Sequence, residues 1–211
     1  MVRFVVMAAG LATRMGQDKL ALPWKDTNVL GHVLQTLLEA ITLQQQQRSL
    51  GGFSLLMETE IVVVARHPRE AYLSKDFIQR FNSYRGTWIE VARPKPLAET
   101  IRYGLQDLDG GVQCIGFLPG DQVGVTAQEL ANCLGQVLMN SPDFLVPIVG
   151  AKAVSPVFFH KSYVPELLAL QGEQGGRDVL YRYPERWCTY PVGARFSQDV
   201  DTPEQYKALL G

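Results

Sequence analysis

The chain has 211 residues, of which 46% are hydrophobic, and this length allows it to bury one substantial core without disulfide or metal crosslinks. Lys and Arg number 20 against 21 Asp and Glu, so the net charge of -1 gives no electrostatic reason to expect a nucleic acid or a membrane surface as partner. The three cysteines are widely spaced and show no metal-ligand pattern. We therefore expect one domain, spanning residues 1–211, from a reducing compartment.

The first apolar run, Phe4 to Ala9, bears on where the protein is found. It is too short for a signal-peptide core and leads directly into a glycine loop. No other segment approaches the length of a membrane span. These features predict a soluble, cytoplasmic protein with no membrane partner.

Short apolar runs alternate with amphipathic stretches through the first 120 residues, which is typical of βαβ units. The pattern predicts strands at 3–9, 60–65, 87–92 and 114–120, with helices at 29–41 and 69–81 among them. Two of the strands, EIVVVA and CIGFLPG, are unbroken apolar runs, as expected where helices cover both faces of a sheet. The predicted fold class is α/β, with a mainly parallel sheet in a three-layer α/β/α arrangement.

Two segments are expected to depart from this alternation of strands and helices. The glutamine-rich segment 44–52, QQQQRSLGG, is interpreted as an extended, mobile loop without chemistry. After Val149 the pattern predicts a small antiparallel excursion, then an aromatic strand at 186–192 and a last short helix after DVDTPEQ.

The stretch VVMAAGLATRMGQDKLALPW, residues 5–24, places a glycine loop at the end of the first strand. Lys19 lies three residues beyond Gly16 and precedes Leu20, so the loop is not a Walker-type phosphate loop, and it also lacks GxGxxG. Its position is nonetheless the edge where open α/β sheets bind ligands. Gly10 would let the backbone approach a ligand, and Arg14 and Lys19 would suit a triphosphate. The alternative is a surface loop with solvated cations.

Acidic residues occupy two further positions of interest. Asp121 follows the strand at 114–120, where it could hold Mg²⁺ or simply stabilise a turn. Asp199 and Asp201 precede a segment that reads as a helix start, with Thr202 as the cap and Pro203 at the first helical position. Asp201 could therefore be a ligand or a residue that favours the helix dipole.

Three motifs in chain order resemble those of the nucleotidyltransferases that act on the molybdenum cofactor, with the cytidylyltransferase branch as the nearest match. The first combines Ala8-Ala9-Gly10, Arg14-Met15-Gly16, Lys19 and Leu22-Pro23; the second is Gly120-Asp121-Gln122; the third is DVDTPE, with Asp201 at the ligand position. The resemblance extends over nearly the whole chain.

The resemblance implies a Rossmann-like nucleotidyltransferase fold, with a nucleotide-binding part at about 1–125 and an acceptor-binding part at about 126–211. It implies transfer of CMP from CTP to the molybdopterin cofactor, without a general base, because the acceptor phosphate is already ionised. Mg²⁺ would be held by Asp121 and Asp201. The implied catalytic residues are Arg14, Lys19 and Asp121, and the implied nucleotide-binding residues are Ala8, Ala9, Gly10, Arg14, Gly16 and Lys19.

The segment GEQGGRDVLYRYP also resembles a stretch on the acceptor side of that family. Gly175, Gly176 and Arg177 would then contact the acceptor, although an ordinary glycine turn before a helix gives the same pattern.

The methyl group of Ala9, where relatives that use GTP carry glycine, is expected to narrow the base pocket toward a pyrimidine. The alternative functions are nucleotidyl transfer from GTP, nucleotidyl transfer to a sugar phosphate, and nucleotide binding without catalysis. Transient docking to a molybdenum hydroxylase is also expected.

Overall fold

An eight-stranded sheet forms the centre of the molecule in this computed structural model, which describes residues 1–10, 15–50 and 59–210. The strands of these ranges are β1 (Val2–Ala8), β2 (Pro23–Trp24), β3 (Thr27–Asn28), β4 (Thr59–Ala65), β5 (Gly86–Glu90), β6 (Cys114–Pro119), β7 (Phe144–Val149), β8 (Lys152–Ala153), β9 (Val157–His160) and β10 (Trp187–Pro191). The sheet order is β10-β7-β9-β6-β1-β4-β5, with β8 paired to β7, while β2 and β3 form a separate hairpin.

The sheet is mainly parallel, as the sequence predicts. Strand β1 pairs in parallel with both β4 and β6, β4 pairs in parallel with β5, and β7 pairs in parallel with β10. The antiparallel pairs all involve β8 or β9, which follow Val149. The predicted α/β class and the antiparallel excursion are therefore both confirmed.

Helices cover both faces of the sheet and produce two hydrophobic clusters, one on each side. The helices are α1 (Val29–Leu50), α2 (Lys75–Ser83), α3 (Leu97–Gly104), α4 (Ala127–Asn140), α5 (Val164–Leu168), α6 (Gly176–Leu180) and α7 (Pro203–Leu210). In β1, Phe4 and Val6 enter one cluster and Val5 enters the other, as side-chain alternation along a strand requires. No helix of the described chain is long and apolar enough to cross a membrane.

Two local predictions need correction. Helix α1 continues through Gln44 to Leu50, so the loop predicted for the glutamine-rich segment is wrong there, and residues 51 and 52 lie outside the described ranges. Glutamine is a good helix former, and Gln44 is buried, so the helix has no reason to stop. The helix predicted at 69–81 instead begins at Lys75, because Ser74 Oγ accepts a hydrogen bond from Phe77 N at 3.3 Å and caps it.

A buried ion pair fastens β1 to its neighbours at the edge of the sheet opposite the glycine loop. Arg3 Nε donates to Glu60 of β4, and both residues are buried. The remaining guanidinium nitrogens donate to carbonyl oxygens at the end of α3, including that of Gln106 at 2.6 Å and that of Asp107 at 2.9 Å. Arg3 thus donates hydrogen bonds to four acceptors in two elements next to β1.

Replacing this arginine should destabilise the fold strongly. We expect Arg3→Met to lower the free energy of unfolding by about 3–5 kcal/mol, because the Glu60 carboxylate stays buried without its cation. Urea denaturation measures the change. In the matched control Arg69→Met, which removes an exposed pair with Glu70, the loss should be less than about 1 kcal/mol. Equal losses in the two variants would contradict the assignment.

Candidate active site

The ammonium group of Lys19 joins two carboxylates that are distant in sequence. Lys19 Nζ donates to Asp121 Oδ2 and, at 2.9 Å, to Asp201 Oδ1, which lie 102 and 182 residues away. Asp121 follows the carboxyl end of β6, and Lys19 follows the loop after β1. Because β1 and β6 are parallel neighbours, both residues emerge at the same edge of the sheet. The structure therefore brings together three predicted site residues.

The backbone around Lys19 is fixed by Asp18, a residue that the sequence reasoning missed. Asp18 Oδ1 accepts a hydrogen bond from Leu20 N at 3.1 Å and caps the 3₁₀ turn Lys19–Ala21. Tyr72 donates its hydroxyl to Asp18 Oδ2 at 2.7 Å, and burial together with this bond raises the pKa of Tyr72 well above its usual value. The available sequence signal was an aspartate directly before a short turn, which is a common capping position.

Asp201 owes its position to the start of α7. Thr202 Oγ1 accepts a hydrogen bond from Gln205 N at 3.2 Å, and Gln205 Oε1 accepts from the backbone of both Thr202 and Asp201 at 3.0 Å. This reciprocal pattern confirms the helix start that the sequence predicts. Since Thr202 supplies the cap, the Asp201 side chain is left to contact Lys19.

The charges at this edge shift the pKa values of Asp199 and Lys19. Asp199 lies close enough that its pKa is raised, by partial desolvation and by the charges of Asp201 and Asp121. Burial alone would lower the pKa of Lys19, but the two carboxylates that contact it outweigh that effect and raise it. Lys19 therefore stays protonated beside these carboxylates.

A small cavity of about 120 Å³ adjoins this cluster at the end of β1. Its lining includes Ala8, Gly10, Lys19 and Asp121. A Cβ atom at Gly10 would meet no atom of the described residues within 4 Å. Gly16 has a φ of +64°, a conformation that glycine adopts without strain. The sequence motif thus lines a cavity beside the carboxylates.

Two members of the predicted loop need separate comment. Arg14 lies outside the described residues. Ala9 is completely buried among core residues that include Val5, and it does not line the small cavity. Its methyl group therefore points into the protein, and any influence on a bound base passes through the backbone of Ala8 and Gly10.

The predicted acceptor segment lines a second, larger pocket of about 610 Å³. Gly175, Gly176 and Arg177 contribute to its wall, together with Gln122 and Asp199 from the acidic edge. The loop is held by Asp178, whose Oδ2 accepts a hydrogen bond from Gly175 N at 2.7 Å. The pocket offers space for a molecule beside the cluster around Lys19.

The donor set suits a hard divalent cation that also binds substrate. Among the described residues, no group of three or more His, Cys, Asp or Glu side chains is arranged to hold a metal ion by itself. Mg²⁺, however, commonly uses one or two protein carboxylates and takes its other oxygen ligands from water and phosphates. Asp121 and Asp201, which contact the same ammonium group, fit that requirement.

Comparisons with known proteins give a family match and a relative over most of the chain. Residues 4–187 match the family model described as the MobA-like NTP transferase domain. The chain is 25% identical to the purine catabolism protein PucB of Bacillus subtilis (strain 168) over 209 residues, covering 96% of this chain and 92% of PucB.

Solved structures of low sequence identity share the fold. Rv0371c from Mycobacterium tuberculosis H37Rv superposes with a TM-score of 0.73 at 22% identity, covering 100% of this chain and 98% of that one. The structure of Rv0371c in complex with manganese gives a TM-score of 0.65 at 20% identity, with coverages of 99% and 97%.

The ammonium of Lys19 should compete with a divalent cation for the same oxygens. We expect Lys19→Met to bind Mn²⁺ about tenfold more tightly or better than the wild type, because the variant removes the ammonium group that contacts both carboxylates, and with it a positive charge. Asp121→Asn and Asp201→Asn should weaken binding. Titration followed by electron paramagnetic resonance measures free Mn²⁺, with Lys75→Met on α2 as a control of equal charge change. Unchanged affinity in Lys19→Met would count against a cation site at this cluster.

Proposed function

The chain belongs to the MobA-like NTP transferase family, and we propose that it transfers CMP from CTP to the molybdenum-bound molybdopterin cofactor, releasing pyrophosphate. The observation that carries the proposal is the contact of Lys19 with Asp121 and Asp201 between a glycine-lined cavity and a larger pocket. Nucleotidyl transfer needs charged groups that contact phosphates, together with two adjacent spaces, one for the nucleotide and one for the acceptor. The cytidine base, the pterin acceptor and the cytoplasmic location are parts of the proposal that rest on the sequence motifs.

The reaction asks mainly for positioning and charge neutralisation. An oxygen of the acceptor phosphate forms a bond to the α-phosphorus of CTP, and the bond from that phosphorus to the bridging oxygen breaks, so pyrophosphate leaves with the electron pair. No proton has to move. In this proposal Lys19 contacts the phosphates, and Arg14 contributes a second cation.

Asp121 and Asp201 would hold Mg²⁺, which supplies charge neutralisation for the phosphates when bound. The manganese complex of Rv0371c supports a divalent cation in this fold. Lys19 leaves its carboxylate partners when phosphate oxygens and the cation arrive, since the ammonium can then bind phosphate instead. Lys19 thereby offsets part of the negative charge of Asp121 and Asp201 before substrate binds.

The large pocket would hold the acceptor. Arg177 gives it a cation that can pair with a phosphate, and Gly175 and Gly176 let the chain pass close to the bound molecule. From there the product would pass to a molybdenum hydroxylase by transient docking.

Replacing Ala9 by glycine tests the choice of base, with a changed CTP to GTP preference as the expected result.

Loss of either partner in the central contact should abolish most activity. We expect Lys19→Met and Asp121→Asn each to lower kcat/KM for CTP by about 10²–10³-fold, as for other groups that stabilise transition-state charge. Lys75→Met should leave turnover unchanged.

Calorimetric titration with CTP, GTP, UTP and ATP in Mg²⁺ measures which triphosphate binds, and acceptor assays then measure kcat/KM. Selectivity for GTP would mean that the chain is a GTP-dependent nucleotidyltransferase, whereas turnover with a sugar 1-phosphate alone would contradict the molybdenum acceptor. Absence of triphosphate binding would favour a non-catalytic module.

Arg177 should act on the acceptor and not on the nucleotide. Removing one charge-assisted contact in Arg177→Ala should raise KM for the pterin acceptor about tenfold or more while CTP affinity stays unchanged. Steady-state kinetics with each substrate varied separately distinguish the two effects. Arg182→Ala, which removes an exposed arginine that pairs with Glu166, is the matched control and should alter neither value. A change in CTP affinity alone would contradict the assignment of Arg177 to acceptor binding.

A further inference from the structure

Gln122 directly follows Asp121 in the chain and is almost completely buried, with 4% of its surface exposed. Its Nε2 atom donates one hydrogen bond to the carbonyl oxygen of Ser155 and another to that of Phe196, the latter at 2.7 Å. These acceptors lie 33 and 74 residues away along the chain. One amide group therefore joins the turn that carries Asp121 to two distant segments.

The two acceptors fix the orientation of this amide. A reversed amide would place Oε1 against two carbonyl oxygens, and neither of those has a hydrogen to donate. Among the described residues, the buried Oε1 atom has no hydrogen-bond partner, which costs free energy. The polar contacts of the Gln122 side chain are therefore the two hydrogen bonds that it donates, and both hydrogens of Nε2 are used.

The segment that contains Phe196 leads to the second carboxylate of the cluster. Phe196 lies in the 3₁₀ turn Ala194–Ser197 and is completely buried, so core packing fixes the position of its carbonyl group. Asp201 follows shortly afterwards in the chain. The hydrogen bond from Gln122 therefore connects the turn of Asp121 to a fixed point on the segment that carries Asp201.

Backbone hydrogen bonds join the same two segments. Gly124 N donates to the carbonyl oxygen of Gln198 at 3.0 Å, and Val200 N donates to that of Asp121 at 3.1 Å. Gln122 adds a side-chain hydrogen bond to this set. Because it is made by a side chain, this contact can be removed by substitution while the backbone donors and acceptors stay in the chain.

The other acceptor, Ser155, belongs to the wall of the large pocket. It lies between β8 and β9, and it lines that pocket together with Gln122, Ser197 and Asp199. The amide is thus located where the wall of the large pocket meets the carboxylates that contact Lys19. Loss of its hydrogen bonds would release the pocket wall and the carboxylate-bearing segments from each other.

We propose that Gln122 is a positioning residue, whose amide sets the separation of the Asp121 and Asp201 carboxylates and holds both beside the large pocket. Mg²⁺ demands nearly ideal octahedral geometry, with oxygen ligands at about 2.1 Å. Two carboxylates from different segments can bind it together only when their spacing is held. The inference rests on the proposed function, because it concerns the same cation site.

Replacing Gln122 by methionine tests this role, because methionine has a similar length and no hydrogen to donate. We expect Gln122→Met to weaken Mn²⁺ binding about tenfold or more, as is typical when a residue that orients metal ligands is replaced. Titration followed by electron paramagnetic resonance measures the affinity without nucleotide or acceptor. The control is Thr42→Val, which removes hydroxyl hydrogen bonds to Leu38 and Tyr84, residues that line neither pocket, and should leave Mn²⁺ affinity unchanged.

The same substitution in the Lys19→Met background separates two ways in which Gln122 could act. If the amide positions the carboxylates, Lys19→Met/Gln122→Met should bind Mn²⁺ about tenfold more weakly than Lys19→Met, because the spacing is lost whether or not the competing ammonium is present. A loss that occurs only when Lys19 is present would overturn the proposal, since Gln122 would then act on the ammonium group.

Two further outcomes would contradict the proposal: unchanged Mn²⁺ affinity in folded Gln122→Met, and an equal loss of affinity in Thr42→Val. Circular dichroism establishes that each variant is folded. If Gln122→Met does not fold, Gln122→Asn takes its place, because the shorter amide cannot reach both carbonyl groups and should also weaken binding. Since the titration contains neither CTP nor acceptor, these results are separate from the proposed transfer, which fails only if turnover is absent in protein that binds the cation.

Discussion

The contact of one ammonium group with two carboxylates organises the functional edge of this protein. Asp121, Asp199 and Asp201 would repel one another at close range, and Lys19 offsets that repulsion from a half-buried position where charges are weakly screened. The same ammonium ties three separate loops together, so the geometry of the site is stabilised before any ligand arrives. Under the proposed function, a divalent cation or a triphosphate would exchange with contacts that are already formed.

The central position of β1 makes this contact possible. Its parallel neighbours β4 and β6 hold it on both sides, and helices bury both of its faces, so the glycine loop leaves from the most constrained strand of the sheet. Arg3 fixes the opposite end of the same strand through Glu60 and the end of α3. Rigid placement of the strand fixes where the loop begins, and Asp18 with Tyr72 fixes where it ends at Lys19.

Segments whose structure depends on local interactions were predicted well. The unbroken apolar run of β4 gives a buried parallel strand, and the Thr202 cap gives the start of α7. The errors arose where composition was taken as a local signal although helix propensity and burial decided the outcome, as at Gln44. Asp18 was missed because its role depends on Tyr72, which lies 54 residues away. No pattern within a short window contains that information.

The sequence by itself determined the fold class, the four parallel strands of the first 120 residues and the residue types that reach the sheet edge, because strand burial, helix capping and glycine conformation act over a few neighbouring residues. Only the tertiary structure decided that Lys19 meets Asp121 and Asp201 and that the Ala9 methyl points into the core. These facts depend on which distant segments pack together. That packing follows from the balance of many contacts across the whole sheet, and it is not written in any single motif.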